Sequence, residues 1–354
     1  MHATKRTKLN QAGMVSIMVT MILMIVISLI VLGFAQISRR NQRNQLDRQL
    51  STQAFYAAES GVNDAQNLIA QKLTGGNQPV AKTSCQDNGS DNSYAVLNPV
   101  LDSANNVAYT CLTVDPNPTS LQYSDIGSTS TIVPVKSQSG GAINTLKFTW
   151  QSKESTGTPI SNCPTGTDSA FSSTSNWQCG YGVLRFDLVP TSGASLNAAT
   201  LASTTMTSFA VPLSSGGTAS IPYAASGANG NNRVGVQCNN TNCNLTITGL
   251  SADQYYLRVS SIYKDVTLQI TGSDASAGTI KFEGAQAVVD STGKAQDVLR
   301  RIQVHLPLLS NSKSELPDYV FQSTDAICKR FAVMDGYFDN KVSGVNSTNP
   351  LCIP

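Results

Sequence analysis

The chain has 354 residues, with 24 Lys or Arg against 22 Asp or Glu and a formal net charge of +2. Charged residues make up 13% of the total, about half the share usual in soluble domains, and Ser, Thr, Asn and Gly fill the difference. This balance excludes a strongly basic nucleic-acid platform and an acidic disordered tail, while the length allows about two domains with a real core.

Residues 1–13 carry Lys5, Arg6 and Lys8 and no acid, and Met14–Ile37 then run for 24 residues without a charge. A helix of that length spans ~36 Å, enough for a hydrocarbon layer of ~30 Å. An ordinary secretory signal has an apolar stretch of only about 7–15 residues followed by a small-residue cleavage site. Neither feature is present, and no cysteine follows the run, which excludes lipoprotein processing. Arg39, Arg40, Arg43 and Arg48 lie just beyond it, so the positive-inside rule gives no orientation. The eight cysteines in a Ser/Thr/Asn-rich body suit an oxidising space, which puts the leader in the cytoplasm and the body outside.

Residues 39–73 contain no proline, and Leu46, Leu50, Ala54, Ala57, Ala58, Val62, Ala65, Leu68, Ile69 and Leu73 recur every three or four positions. This is a helical stripe with polar residues opposite. The breakers Gly75, Gly76 and Pro79 end it. Residues 14–72 therefore predict one helix of ~88 Å, within a segment bounded at 14–75. Its first half, apolar all round, needs lipid or other helices, and its second half needs a head domain.

From residue 76 to 309 the pattern changes to short β-like runs between Gly, Pro, Asn, Ser and Thr clusters. The expected strands are Val107–Val114, Leu146–Trp150, Gly182–Val189, Thr207–Leu213, Asn244–Thr248, Tyr255–Ile262, Val266–Thr271, Thr279–Phe282, Ala285–Asp290 and Val298–Leu306. Asp290-Ser-Thr-Gly293 reads as a hairpin turn. Short gaps imply hairpins and meanders in an antiparallel sheet or sandwich, with residues 191–206 and 214–232 as loops or a soft boundary. Pairing cysteines with their sequence neighbours, one of 105 possible arrangements, joins Cys85 to Cys111, Cys163 to Cys179, Cys238 to Cys243 and Cys328 to Cys352.

Catalytic signatures are absent. The sequence contains no G-x-x-x-x-G-K-(S/T), H-E-x-x-H or G-x-S-x-G pattern. Beyond the leader there is one histidine, His305, which reads as a surface residue of an alternating strand beside Arg301 and Gln303. Asp87-Asn-Gly-Ser-Asp91-Asn92 lacks the downstream glutamate of a calcium loop and reads as an Asx-rich turn. Cys238 and Cys243 have no second pair at zinc spacing, so no metal site is expected. Arg300-Arg301 and Lys329-Arg330 are short basic pairs suited to a solvated face or an ion pair. The sequons at Asn88, Asn239, Asn244 and Asn346 are what an Asn/Ser/Thr-rich surface produces by chance.

The short basic leader, Gly13, and Met14 opening directly into an apolar helix resemble the class III signal of type IV prepilins. The resemblance implies cleavage by a prepilin peptidase between Gly13 and Met14, N-methylation of Met14, and assembly through the apolar helix. Major subunits of that family carry a glutamate at mature position five, where this chain has Met18. That departure points to a minor or tip subunit. Phe55-Tyr56-Ala57-Ala58-Glu59-Ser60-Gly61 is similar to the A-A-E-(A/S)-G element of PilX-type proteins, whose small residues allow close helix–sheet contact. A loop closed by Cys328 and Cys352 within residues 310–354 resembles the disulfide-bounded C-terminal region of many pilins.

The resemblance covers residues 5–70. It implies an α+β fold: a long N-terminal helix, membrane-spanning in its first half and amphipathic in its second, then a large disulfide-braced antiparallel β-rich head. The implied function is a minor or tip subunit of a type IV pilus-like filament. An uncleaved single-pass surface adhesin and a tip pseudopilin of a type II secretion-like machine are the alternatives. The implied partners are other pilin subunits, the prepilin peptidase and the cytoplasmic membrane, with no cofactor, catalytic residue or nucleic acid. The net charge fits such a division: without Lys5, Arg6 and Lys8, 21 basic residues face 22 acidic ones.

Overall fold

The structure, a computed structural model, describes residues 12–153, 160–167, 177–191, 201, 203–225 and 232–308. Helix α1 runs from Ala12 to Thr74 as one element, ~95 Å long. It begins two residues before the expected start and ends two residues after the expected end. A Schellman arrangement closes it: Gly76 N donates to Leu73 O (3.1 Å) and Asn77 N to Lys72 O (3.0 Å). Gly76 has φ +74°, which favours glycine there. Residues 16–37 are exposed along their whole length, and this is the one helix among the described residues long and apolar enough to cross a membrane.

The second half of α1 lies on a four-stranded antiparallel sheet of order β1-β2-β13-β14, formed by Val100–Asp102, Val107–Asp115, Gln286–Ala295 and Val298–Pro307. Val62, Ala65 and Ile69 of the helix are buried against Tyr109, Leu112, Val114, Ala287 and Val289, with Ile302 and Val304 packed alongside. Most of the expected stripe faces this core. Leu46 does not: it is exposed, because it lies below the first head contacts.

Between β2 and β13 the chain leaves this sheet and builds a β-sandwich. One layer has the order β3-β12-β5-β10-β8 (Ser120–Ile126, Val266–Ser273, Thr145–Ser152, Cys243–Thr248, Ser220–Pro222). The other has the order β4-β11-β6-β7-β9 (Thr131–Lys136, Gln254–Ile262, Val183–Pro190, Met206–Leu213, Arg233–Gln237). Alternate residues of each strand meet between the layers. Leu146, Phe148 and Trp150 of β5 and Leu184, Phe186 and Leu188 of β6 are fully buried, and the Phe148 and Phe186 rings stack 5.5 Å apart. The described part of residues 76–309, read from the sequence as one head, thus carries two hydrophobic cores.

Three expectations are corrected. Sequence neighbours mostly pair with other strands, and β8–β10 and β7–β9 are parallel, so the sandwich is a crossover structure and not a meander. Thr279–Phe282 forms no strand. Thr279 and Phe282 make single bridges to Ser273 and Ser137 while Phe282 fills the sandwich core. Asp290–Gly293 lies inside β13, and the chain turns instead at Gln296, which has φ +52°, between Ala295 and Val298.

The disulfides Cys85–Cys111, Cys163–Cys179 and Cys238–Cys243 are formed. In the chain-entropy model the first two, closing 26 and 16 residues, each contribute ~3 kcal/mol. Cys328, Cys352 and the proposed unit 310–354 lie outside the described residues, as do residues 1–11 of the leader.

The sandwich has its own core, and its two connections meet at one end, where Phe282 N donates to Pro118 O at 3.0 Å. Residues 116–285 expressed alone should therefore unfold cooperatively and give dispersed amide NMR signals. A collapsed, undispersed spectrum would show that the sandwich depends on α1 and its sheet.

Candidate functional site

Two features connect the parts of the molecule: the seam between α1 and its sheet, and a polar cleft where the sandwich joins that sheet. The seam is built from absent side chains. Gly293 of β13 sits under the helix backbone, and a Cβ there would overlap Ala54 O and Ala58 N. Gly61 stands over Ser291 and the Tyr109 ring, and its missing Cβ would overlap Ser291 Oγ and come within 3.0 Å of the ring. Within the Ala57–Gly61 element, Ala57, Ala58 and Gly61 are buried, Ser60 is half-buried and Glu59 is exposed. The helix therefore approaches the sheet through small residues on both sides. This close approach explains the misread turn: Asp-Ser-Thr-Gly looks like a hairpin locally, but a strand glycine also marks a bulge or a near backbone. The bulge is present, because β2 shifts register opposite Thr292 and Gly293. That shift keeps both Tyr109 and Leu112 on the helix side, and Tyr109 OH donates to Asp64 Oδ2 at 3.0 Å. Burial and the Asp64 carboxylate hold the Tyr109 phenol well above its ordinary pKa.

The loop after α1 is strapped to the same body. Lys82 is buried, exchanges backbone hydrogen bonds with Val114 at 2.8 and 2.9 Å, and its Nζ donates to Ser84 O (2.7 Å) and Cys85 O (3.1 Å). Burial lowers its pKa. Asp91 pairs with Lys72 at the helix end, and hydrogen bonds from Lys72 and Ser93 hold its carboxyl down at about 2. Asp87 accepts from Thr83 N (3.2 Å) and Gly89 N (2.9 Å). Both carboxylates of this Asx-rich turn are thus engaged within the fold. Among the described residues no three His, Cys, Asp or Glu side chains converge as a metal set.

On the sheet face away from α1, a cleft of about 580 Å³ is lined by residues of β2, β13 and β14, the Lys82 loop and both connections to the sandwich. Arg301 binds the Asp290 carboxylate through Nε at 2.7 and 2.8 Å and also through Nη2. Arg300 points the opposite way and donates from Nε to Ser51 Oγ of the helix at 2.8 Å. Gln286 is buried and fastens the sandwich edge: its Nε2 donates to Gln122 O (2.7 Å) and its Oε1 accepts from Gln122 N (2.9 Å). His305 departs from the expected surface histidine. It is half-buried, its Nδ1 is buried without a partner among the described residues, and burial lowers its pKa.

Gly13 and Met14 lie in the first turn of α1, with their peptide bond inside the helix as described. Sequence reasoning missed Gly293, Ser291, Tyr109 and Gln286, whose roles depend on contacts between segments far apart in the chain. The one local signal was Gly293 itself, inside an otherwise alternating run. Compared with family models, curated proteins and solved structures, the chain matches none.

The seam can be tested by contrast. Gly293→Ala should cost about 1–3 kcal/mol, because backbone atoms cannot rotate away from the new methyl. Gly61→Ala should stay closer to neutral, since Ser291 Oγ can turn aside and alanine favours the helix by up to ~1 kcal/mol. Thermal unfolding of the two variants checks this order. A second expectation concerns His305. Its folded pKa lies below the unfolded value of 6.5, so the folded state binds fewer protons as pH falls. Its stabilisation is complete above about pH 6.5 and is lost as pH drops through that value toward the folded pKa. His305→Gln should remove that step from a stability–pH curve while leaving the carboxylate-linked loss below about pH 4 in place.

Proposed function

We propose that the chain is a minor or tip subunit of a type IV pilus-like filament. On this reading it is processed after Gly13, held and assembled through the apolar half of α1, and displays the sandwich outside the cell. The observation that carries the reading is the division of a single helix. Residues 16–37 are exposed and apolar on every side, while residues 54–69 bury a small-residue stripe on a four-stranded sheet. Exposed apolar surface on that scale requires a bilayer or a bundle of like helices as its surroundings. The prepilin-like leader at Lys5–Met14 supplies the second support, and the Ala57–Gly61 element the third.

The role is mechanical. The apolar half partitions between bilayer and filament core, the seam at Gly61 and Gly293 carries the load to the sheet, and the inserted sandwich is presented at the far end of the two connections. Met18, in place of the family's glutamate, leaves no carboxylate to pair with a neighbour's terminal ammonium in an apolar core, which favours a minor or tip position over a repeating one.

Mass spectrometry of the native N-terminus tests the proposal. The expected mature chain begins with N-methylated Met14, and disabling the Gly13 site should leave an unprocessed chain that stays in the membrane fraction. A mature protein still beginning at Met1 would overturn processing and favour the uncleaved single-pass anchor.

A further inference from the structure

Four arginines follow the charge-free span, on the side where the positive-inside rule places fewest if the body lies outside. Three of them, Arg39, Arg40 and Arg43, fall within an arc of about 100° at 3.6 residues per turn. That arc coincides with the arc of Leu50, Ala54, Ala57, Ala58 and Gly61, the side of α1 that the sheet covers higher up. Arg48 projects away from the centre of the arc.

The described part of the head does not reach them. Among the described residues its lowest side-chain hydrogen bond to the helix is Arg300 to Ser51, ~20 Å beyond Ile37 along the axis. Arg39, Arg40 and Arg43 are exposed and make no ion pair or hydrogen bond through their side chains among the described residues. They lie only ~3–9 Å past Ile37, the depth of the headgroup layer on one side of a bilayer, ~5–8 Å. The only acid on the helix before Glu59 is Asp47, which is ~15 Å past Ile37 and so above that layer.

We infer that Arg39, Arg40 and Arg43 form a binding site for the phosphate groups of anionic phospholipids in the leaflet beneath the head. The inference rests on the proposed placement of residues 14–38 in a bilayer and does not depend on cleavage after Gly13. Guanidinium groups suit the ligand because their planar donors engage phosphate oxygens in pairs, with charge assistance. The span itself carries no charge, so this face supplies the local electrostatic attraction, and among the described residues it lies open below Ser51. Hydrophobic partition sets the depth of the helix; the arginines fix which side faces the lipid phosphates and add a preference for anionic lipid.

The test uses the full chain in vesicles of phosphatidylcholine containing trace spin-labelled phosphatidylglycerol or spin-labelled phosphatidylcholine. Every protein compared carries K5Q, R6Q and K8Q, so that the leader adds no charge of its own. Electron spin resonance measures the fraction of each label held at the protein surface. A preference for phosphatidylglycerol of about fivefold is expected, the equivalent of one arginine's attraction to an anionic surface. R39Q/R40Q/R43Q should bring the ratio near one, and R48Q should leave it close to its starting value. Equal retention of both lipids by the unsubstituted arginine face, or the same loss from R48Q as from the triple variant, would overturn the site. Alkaline carbonate extraction separates this from the parent reading: a chain released from the vesicles was never membrane-spanning, whereas a retained chain without lipid preference refutes the arginine site alone.

Discussion

The contact between Gly293 and the backbone of Ala54 and Ala58 is the constraint on which the rest of the structure depends. A helix can lie that close to a strand only where neither side projects a bulky side chain, and here both sides comply. The close approach fixes the height at which Val62, Ala65 and Ile69 meet Leu112, Val114 and Val289. It also sets where the Tyr109 hydroxyl reaches Asp64 and where Arg300 reaches Ser51. One end of α1 has no partner among the described residues, so the packed half must hold the whole head on the helix. Large buried aliphatic side chains contribute roughly 1.5–3 kcal/mol each, but the backbone contact at Gly293 sets how closely those side chains meet.

The second constraint is where the sandwich is inserted. It leaves the sheet after β2 and returns at β13, two neighbouring strands, so both connections pass through one narrow junction. Gln286 closes that junction by satisfying both backbone groups of Gln122 on the β3 edge, which would otherwise be an open template for pairing. Arg301–Asp290 and half-buried His305 occupy the face just below. The junction is polar while both cores are apolar, so the two bodies are fastened by specific hydrogen bonds and not by a shared core. A single amide side chain therefore has more influence on how the bodies are joined than many residues inside either of them.

Much of this was legible in the sequence, and the rest failed for identifiable reasons. The long helix was visible because charge-free length and a three-four repeat are local properties, and strands such as β5, β11 and β12 were visible because their apolar residues alternate. Strand β4 was hidden by Pro134, tolerated because among the described residues β4 is an edge strand paired to β11 alone. Strand β3 was hidden by its polar residues, and β8 by its length of three. The insertion could not be read, since strand order depends on partners 100 or more residues away: β2 pairs with β13 and β3 with β12. Gly293 was visible but misassigned, because the helix that requires it lies more than 200 positions earlier.

Seen along the helix, the chemistry changes in steps that match the surroundings each segment must meet. Residues 16–37 offer a charge-free, predominantly apolar surface, Arg39 to Arg43 offer charge on one face, and residues 54–69 offer a smooth small-residue face to the sheet. These three requirements compete for the same side of α1, and the helix separates them along its axis instead of around its circumference. A bulky residue at Ala54 or Ala58 would push the head off, while at Arg39 or Arg40, below the head, large side chains meet no such limit. The described head thus begins about 20 Å above the apolar span, beyond the reach of a long side chain from Ser51 to Ile37, and the arginines occupy the interval. Under the proposed function, transfer of the helix from bilayer to filament would have to exchange both the lipid around residues 16–37 and the anions at the arginine face. Such an exchange places an electrostatic cost on leaving the membrane that an apolar span alone would lack.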